Sequence, residues 1–173
     1  MSAKTFKFEA FGVSYRTTQF TAVPAMELLR RAGKIHPTEV LARTEAKDSD
    51  GDWVLLDNAD AINRCVLDRA DAIPSVTVLR GLLDIIHEKN FKFLEEWKGA
   101  RMPRRFVDEA QTASTQNADP LIAQLIQDGS ATMRELEEYY SLYDAFVMFD
   151  ILVVKGLNQA LSYEAATSKR RRV

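Results

Sequence analysis

The chain has 173 residues, of which 46% are hydrophobic and 28% are charged, and its formal net charge is −2. This composition is typical of a soluble protein with one core, and the small net charge gives no general attraction to nucleic acid or to an anionic membrane. The one cysteine, Cys65, rules out a disulfide within these residues and fits a reducing compartment.

The N-terminal residues predict a β-hairpin. Phe6, Phe8 and Ala10 alternate with charged residues, Gly12 follows, and the alternation resumes at Val13. A period of two on both sides of a glycine is typical of two antiparallel strands. Because an isolated hairpin is only marginally stable in water, we expect it to pack on helices.

Helical spacing begins at residue 22. The segment AVPAMELLRRAGK predicts a short helix that ends at Gly33, and Pro37 precedes a second helical segment, TEVLARTEA. The segment WVLLD fits either a short strand or the start of the next helix. That next helix is NADAINRCVLDRA, with Asp57 or Asn58 as its N-cap.

A long amphipathic helix is predicted from Pro74 to Gly99. The positions of its buried stripe recur every three or four residues and are Val76, Leu79, Leu82, Leu83, Ile86, Asn90, Leu94 and Trp97. The polar segment 111–119 that comes later lacks apolar periodicity and predicts a linker.

Two further helices are predicted after the linker. Asp119 caps and Pro120 opens the first of them. Thr132 and Glu135 have the spacing of a capping box at the start of the second, which runs unbroken or breaks near Gly156.

These elements predict a mostly α (α+β) protein, with a small N-terminal β-hairpin packed on a helical bundle and a long C-terminal helix. Residues 1–110 are predicted to form the hairpin and helical core domain, 111–119 the linker, and 120–173 a helical extension with a basic tail.

One short motif suggests a metal. His87 and Glu88 match the first two letters of the H-E-x-x-H zinc-protease motif, but the fourth position after His87 is Phe91. The only other histidine is His36, so a zinc site would need ligands brought together from distant places. We therefore predict no metal and no metal catalysis.

Other catalytic and binding motifs are also missing. The sequence has no P-loop and no G-x-G-x-x-G, and Cys65 and His87 lie on different predicted helices. A helical cysteine of this kind is usually a small core residue. The basic clusters 101–105 and 169–172 lack interleaved aromatic residues for stacking on bases. We therefore expect no enzyme activity, no catalytic residue, no cofactor and no nucleic-acid partner.

The last helix is apolar around nearly its whole circumference. Its apolar residues are Tyr139, Tyr140, Tyr143, Phe146, Val147, Phe149, Ile151, Leu152, Val153, Val154 and Leu157. A surface helix should be polar on one side, so this one is buried either within its own domain or by a partner. The second reading predicts a homo-oligomer or the capture of another apolar helix.

The sequence also indicates where the protein acts. The opening residues MSAKTFKFEAFG contain no apolar core of signal-peptide length. The longest apolar run, 145–154, is interrupted by Asp150 and has about half the length of a membrane span. We therefore expect a cytoplasmic protein that spans no membrane.

The order of elements resembles that of the tail assembly chaperones of tailed bacteriophages. The resemblance covers roughly residues 5–107 and is carried by the hairpin FEAFGVSYRTTQF, the helix AVPAMELLRRAGKI, the Pro-started helix IPSVTVLRGLLDIIHEKNFKFLEEW and the following MPRRF. Its most distinctive part is NFKFLEEWK.

The resemblance implies a non-enzymatic protein of the host cell cytoplasm that is absent from the mature virion. Proteins of this family keep the tape measure protein soluble and help recruit tail tube subunits during tail morphogenesis. A tape measure protein is a long helical chain with apolar stripes, which would aggregate before the tube encloses it. A chaperone for it needs apolar grooves that accept helices with little sequence demand.

The sequence offers aromatic and aliphatic side chains for such a groove. The candidate client-binding residues are Phe91, Trp97, Tyr139, Tyr143, Phe146, Met148, Phe149, Val153 and Leu157. The alternative is a structural virion component of the phage tail or baseplate, in which the same apolar helix forms a permanent interface.

Overall fold

A computed structural model of the chain describes residues 3–31, 33, 35–106 and 115–170. Within these residues the protein is α+β, with more helix than strand, a four-stranded antiparallel sheet and a long C-terminal helix. The elements in chain order are β1 (Thr5–Ala10), β2 (Val13–Thr18), α1 (Ala22–Arg30), α2 (Pro37–Val40), β3 (Thr44–Lys47), β4 (Trp53–Leu55), α3 (Ala59–Cys65), α4 (Ser75–Phe91), α5 (Phe93–Glu96), a 3-10 turn (Arg104–Phe106), α6 (Pro120–Gln127), α7 (Met133–Glu138) and α8 (Leu142–Arg170).

The predicted N-terminal hairpin is confirmed. β1 and β2 pair antiparallel from Thr5 with Thr18 to Ala10 with Val13. The two residues between the strands, Phe11 and Gly12, both have positive φ, at 55° and 72°. Two positive φ angles characterise the tight turn whose twist matches that of paired strands. The glycine supplies this conformation without strain.

The sheet is larger than the predicted hairpin because β3 and β4 extend it. The predicted helix TEVLARTEA is wrong beyond Val40, since its last residues form β3 and pair with β2. Arg16 of β2 forms an ion pair with Glu45 of β3, and the buried hydroxyls of Thr17 and Thr44 are 2.9 Å apart. These cross-strand contacts favour a strand where the local sequence favours a helix.

The long helix predicted from Pro74 to Gly99 is shorter in the structure. α4 ends at Phe91, the single turn α5 follows, and Trp97 has an extended backbone. Near its end, buried Asn90 accepts a hydrogen bond from the backbone N–H of Phe20 at 2.8 Å. The prediction that Asn90 lies on the buried stripe is confirmed, and this bond fastens α4 to the end of β2.

The C-terminal helices begin at the predicted caps. Asp119 accepts from the N–H of Leu121, and Thr132 and Glu135 form a reciprocal capping box. Of the two alternatives at Gly156, the unbroken helix is confirmed, because α8 continues through this residue.

A break lies instead between α7 and α8. There the Ser141 side chain accepts from the N–H of Asp144, and the Asp144 carboxylate accepts from the N–H and hydroxyl of Ser141. This reciprocal pair satisfies backbone groups that a helix start otherwise leaves unpaired.

Two apolar clusters form the core, and α1 contributes to both. The first joins the sheet, α1, α3 and α4, whereas the second joins α1 with α6, α7 and α8. The N–H groups of Ala3 and Ala22 also donate to the carbonyl oxygens of Tyr139 and Tyr140, at 3.0 and 2.8 Å. The chain after residue 119 therefore packs directly on the N-terminal elements. Of the predicted linker 111–119, residues 111–114 lie outside the described residues.

Residues 97–106, which we call the strap, run alongside α8. The ring of Trp97 lies 5.4 Å from that of Phe146, the N–H of Ala100 donates to Asp150, and Arg105 pairs with Glu164 at 3.4 Å. Phe146, Asp150 and Glu164 follow one another along α8 in the same order as their strap partners, so strap and helix run in the same direction.

Candidate partner-binding surface

Four aromatic side chains meet where the strap begins. Phe93 of α5 and Trp97 of the strap contact Tyr143 and Phe146 of α8, with ring centroids 5.3 to 6.0 Å apart and ring planes nearly perpendicular. Tyr143 and Phe146 are three residues apart and so lie on one side of the helix. Edge-to-face packing of this kind adds about 0.5–1.5 kcal/mol per pair beyond burial.

A cleft of about 410 Å³ opens beside these rings. We call it the aromatic cleft. Its apolar walls are Phe6 of β1, Phe93 and Tyr143, and its polar lining includes Lys89 and Glu96. Because β1, the end of α4 and the start of α8 each supply part of the wall, the cleft exists only in the folded chain.

The rim of the aromatic cleft carries charges of both signs. Lys92 forms an ion pair with Glu88, and the ammonium of Lys89 lies 5.0 Å from the centre of the Phe6 ring. The hydrogen bond from Lys92 lowers the pKa of Glu88, and the same bond raises the pKa of Lys92. Glu88 and Lys92 therefore stay charged at neutral pH. The rim can thus form ion pairs with a bound segment of either charge.

Some of the predicted binding residues pack in or against the core. Phe91 is buried in the first core cluster at 7% exposure. Phe146 is half-buried against that cluster, and Met148 and Phe149 are half-buried against the second. The structure gives these residues packing roles, and a partner reaches at most their edges.

The remaining predicted residues are more accessible. Tyr139 and Tyr143 are 51% and 42% exposed, and Trp97, Val153 and Leu157 are half-buried. Of these, Tyr143 and Trp97 belong to the aromatic group beside the cleft, whereas Tyr139 lies on the end of α7 with its ring 5.0 Å from that of Tyr140.

Other exposed apolar residues were not among the predicted binding residues. Ile151, Val154 and Leu161 on α8 are 62%, 40% and 41% exposed, and Phe6 and Phe93 line the cleft. The spacing of Ser141 and Asp144, a capping box, was the sequence signal that could have fixed the start of α8. Once the first residue of α8 is known, the 3.6-residue period of the helix gives the side that faces the core.

The metal motif is not assembled around His87. Its ring is exposed on α4 and lies 5.2 Å from the ring of Phe91. His36 caps α2, where its Nδ1 lies 2.8 Å from the Thr38 hydroxyl. No group of three or more His, Cys, Asp or Glu able to hold a metal occurs among the residues that the structure describes. The absence of a metal stays a prediction, which the zinc measurement below addresses.

The first of the two basic clusters packs against α8. In 101–105, Arg105 pairs with Glu164 and its guanidinium lies 4.7 Å from the centre of the Phe106 ring. This cluster therefore contributes to fastening the strap. The second cluster, 169–172, lies outside the described side chains.

The C-terminal helix α8 is unusually long and apolar. Over Leu142–Thr167 the helix is long and apolar enough to cross a membrane, and 6% of its most apolar window is buried in the protein. Length and composition alone are weak evidence for a membrane span, and the segment contains Asp144, Asp150, Lys155 and Glu164. Charges at such positions are costly in a bilayer.

Comparison of the chain with models of protein families, with curated proteins and with solved structures finds no match.

Proposed function

We propose that this protein is a non-enzymatic tail assembly chaperone of a tailed bacteriophage, which keeps the tape measure protein soluble and helps recruit tail tube subunits. The observation that carries the proposal is the aromatic cleft, where Phe6, Phe93 and Tyr143 form apolar walls beneath a charged rim. The resemblance of residues 5–107 to that family supports the same function.

The dimensions of the cleft suit an apolar anchor of a helix. A volume of about 410 Å³ accommodates one or two large side chains projecting from a client helix. Because the rim holds lysines and glutamates together, residues that flank the anchor can carry either charge. Many different turns of a long helical client would then bind, each weakly enough to be displaced by the assembling tube.

The protein acts in the host cell cytoplasm under this function. Binding and release need no cofactor and no covalent chemistry, and the protein works in the host cell cytoplasm before the tube encloses its client. It is then absent from the mature virion. Exposed apolar segments of an unassembled client aggregate, which is the state that the chaperone prevents.

A second candidate function is a structural component of the phage tail or baseplate. It is favoured by the exposed apolar side chains of Ile151, Val154 and Leu161 on α8, which a permanent interface would cover. Mass spectrometry of purified particles and of infected lysate separates the two. A chaperone is abundant in the lysate and missing from the particle.

Co-expression with the tape measure protein of the same genome tests the chaperone proposal. The test variant is Tyr143→Asp, which places a carboxylate in the wall of the cleft. The matched control is Tyr163→Asp, which makes the same change on the same helix at a side chain that is 77% exposed and outside the cleft. We expect the control, but not the test variant, to keep the client soluble.

Thermal unfolding of the two variants completes the experiment. Loss of solubilisation with a folded Tyr143→Asp chain supports the proposal, and full solubilisation by that variant contradicts it. If Tyr143→Asp does not fold, Phe6→Ala, which removes the apolar wall on β1, is measured in the same way with the same two outcomes.

A further inference from the structure

One side of α8 has a coiled-coil spacing. Along the helix its positions alternate at intervals of four and three residues and are Val147, Ile151, Val154, Asn158, Leu161 and Ala165; all are exposed except Val147, which is half-buried, and all are apolar except Asn158. We call this set the α8 stripe. Intervals of four and three are those of the a and d positions of a heptad, with Ile151, Asn158 and Ala165 at a. Such a stripe matches the seam between two helices rather than the broader face that contacts a globular core.

The α8 stripe faces away from the rest of the protein. Leu142 and Ala145 are buried against the body, and Ile151 lies nine residues after Leu142, which is about half a turn around the helix. The strap lies on one flank of α8, where Ala100 meets Asp150, and α6 lies on the other, where Lys155 pairs with Asp128 at 2.9 Å. A second helix can therefore approach the α8 stripe while the two protein bodies stay on opposite outer sides.

We propose that the occupant is α8 of a second copy of this chain, in a parallel, in-register two-stranded coiled coil over 147–165. This inference goes beyond the proposed function and does not depend on it, because a monomer could still bind a client in the aromatic cleft.

Asn158 argues for a second copy and for the parallel orientation. It is the one polar residue of the α8 stripe and it is exposed in the structure. At an a position of a parallel pair, the two Asn158 amides face each other and hydrogen-bond across the seam. In an antiparallel pair, a positions face d positions, so each amide would face Val154 or Leu161 and remain unpaired at a cost in free energy. An apolar client helix would leave the amide unpaired in the same way.

The charges that flank the α8 stripe are complementary in this register. Asp150 occupies a g position and Lys155 the e position five residues later. In a parallel coiled coil these two positions face each other across the seam, so that each copy contributes one acid and one base to two symmetric ion pairs. Asp150 already accepts from Ala100, and Lys155 donates to Asp128. A carboxylate and an ammonium have sites left for a second partner.

The expected dimer is weak but does not require new folding. The α8 stripe is about 27 Å long, and the interface it offers lies near the low end of the roughly 1,200–2,000 Å² that stable complexes bury. Packing on α1 and α6 already holds α8 as a helix, so that association does not have to supply the free energy of helix formation. We expect dissociation in the micromolar range.

Sedimentation equilibrium of the full chain across a wide concentration range is the first test. We expect a monomer–dimer equilibrium that Ile151→Asp weakens by about tenfold or more. The control Tyr163→Asp alters an f position, on the outer side of the pair, and should leave the equilibrium unchanged. Asn158→Ile should strengthen association. A buried polar side chain at an a position lowers the stability of a coiled coil, although it fixes the register of the two helices.

Cysteine cross-linking tests the orientation. In the parallel register Leu161→Cys lies opposite itself, so mild oxidation should form a disulfide-linked dimer. Tyr163→Cys lies on the outer side and should not form one. The native Cys65 is buried and is present in both variants.

Three outcomes overturn the proposal. One is a monomer at every concentration, and another is a dimer that neither Ile151→Asp nor Asn158→Ile alters. The third is a monomer that floats with vesicles of phosphatidylcholine and phosphatidylglycerol and loses this association in Ile151→Asp, which assigns the α8 stripe to lipid. A lost dimer with intact client solubilisation would leave the proposed function standing.

Discussion

The side chain of Asn90 joins two segments that are seventy residues apart. Its Oδ1 accepts from the N–H of Phe20 at 2.8 Å, and its Nδ2 donates to the carbonyl oxygen of Ile86, also at 2.8 Å. The residue is 5% exposed, so water cannot replace either bond without opening the structure. Asn90 thereby fixes where α4 ends relative to the chain that leaves β2, and this position in turn sets the wall of the aromatic cleft.

Asn90→Ala should lower the free energy of unfolding by about 1–3 kcal/mol, because it leaves the buried N–H of Phe20 without an acceptor. Urea unfolding followed by circular dichroism measures the change. Asn63→Ala, at an exposed position on α3, should stay within about 0.5 kcal/mol of the wild type. Equal effects of the two substitutions would show that the bond to Phe20 contributes little.

Gly81→Ala should destabilise the protein although alanine favours helices. A Cβ at Gly81 would lie 2.9 Å from Cζ of Phe11 in the hairpin turn, and making room for it costs about 1–3 kcal/mol. The control is Gly156→Ala on α8, where the Cβ would be 3.4 Å from the flexible end of Met102. That change should stabilise the helix by up to about 1 kcal/mol. Opposite shifts in melting temperature are the expected result.

Phe149→Asp and Ile151→Asp should differ in their effect on folding, although they lie two residues apart on α8. Phe149 packs against the second core cluster, so a carboxylate there should cost about 2–4 kcal/mol. Ile151 is 62% exposed, and its substitution should cost less than about 1 kcal/mol at concentrations where the chain is monomeric. Val153, which is half-buried, should give an intermediate loss. A folded Phe149→Asp chain would return Phe149 to the candidates for partner contact.

Tyr15→Phe should change how stability depends on alkaline pH. The hydroxyl of Tyr15 is buried without a hydrogen-bond partner among the described residues, and burial raises its pKa from 10.0 to about 12. Between the unfolded-state pKa and the folded-state pKa, the Tyr15 hydroxyl is deprotonated in the unfolded chain but protonated in the folded chain. The free energy of unfolding therefore falls as pH rises through this range. Urea titrations from pH 9 to 12, about the range in which tyrosine ionises, should show a shallower decline in Tyr15→Phe.

At neutral pH the same substitution should be neutral or should stabilise the protein by up to about 1 kcal/mol, since it removes an unpaired buried hydroxyl. A clear loss of stability at neutral pH would instead indicate that the Tyr15 hydroxyl has a bound partner.

His87→Ala should leave folding and client solubilisation unchanged. The side chain is exposed, and surface changes of this kind move stability by within about 0.5 kcal/mol. Elemental analysis of the wild type purified in metal-free buffer should find no stoichiometric zinc. Zinc that is present in the wild type and lost in the variant would contradict this.

Local signals in the sequence located much of the fold. Asp119 with Pro120, and Thr132 with Glu135, fix helix starts through hydrogen bonds within four residues, so that no tertiary information is needed to recognise them. The turn at Gly12 is equally local. The strand β3 was missed because its stability comes from pairing with β2, more than twenty-five residues earlier, through contacts such as that between Arg16 and Glu45.

The candidate site was harder to predict than the fold for a similar reason. The aromatic character of Trp97, Tyr143 and Phe146 is visible in the sequence, but their meeting depends on where α4 stops and where α8 begins. The amphipathic stretch around Phe91 predicts a residue that either binds a partner or packs in the core, and only the fold shows that Phe91 is buried in the first core cluster. The wall at Phe6 depends on the packing of β1 beside both helices, which periodicity does not encode.

The hydrogen bonds from Ala3 and Ala22 to Tyr139 and Tyr140 have a consequence for synthesis of the chain. Ribosomes add about 5–20 residues per second, so the N-terminal donors wait roughly 6–25 s before their acceptors have been made. During that interval the apolar side of α1 that later contacts α8 is open to other nascent chains. Slower translation of the last third of the message should therefore lower the soluble yield of this protein.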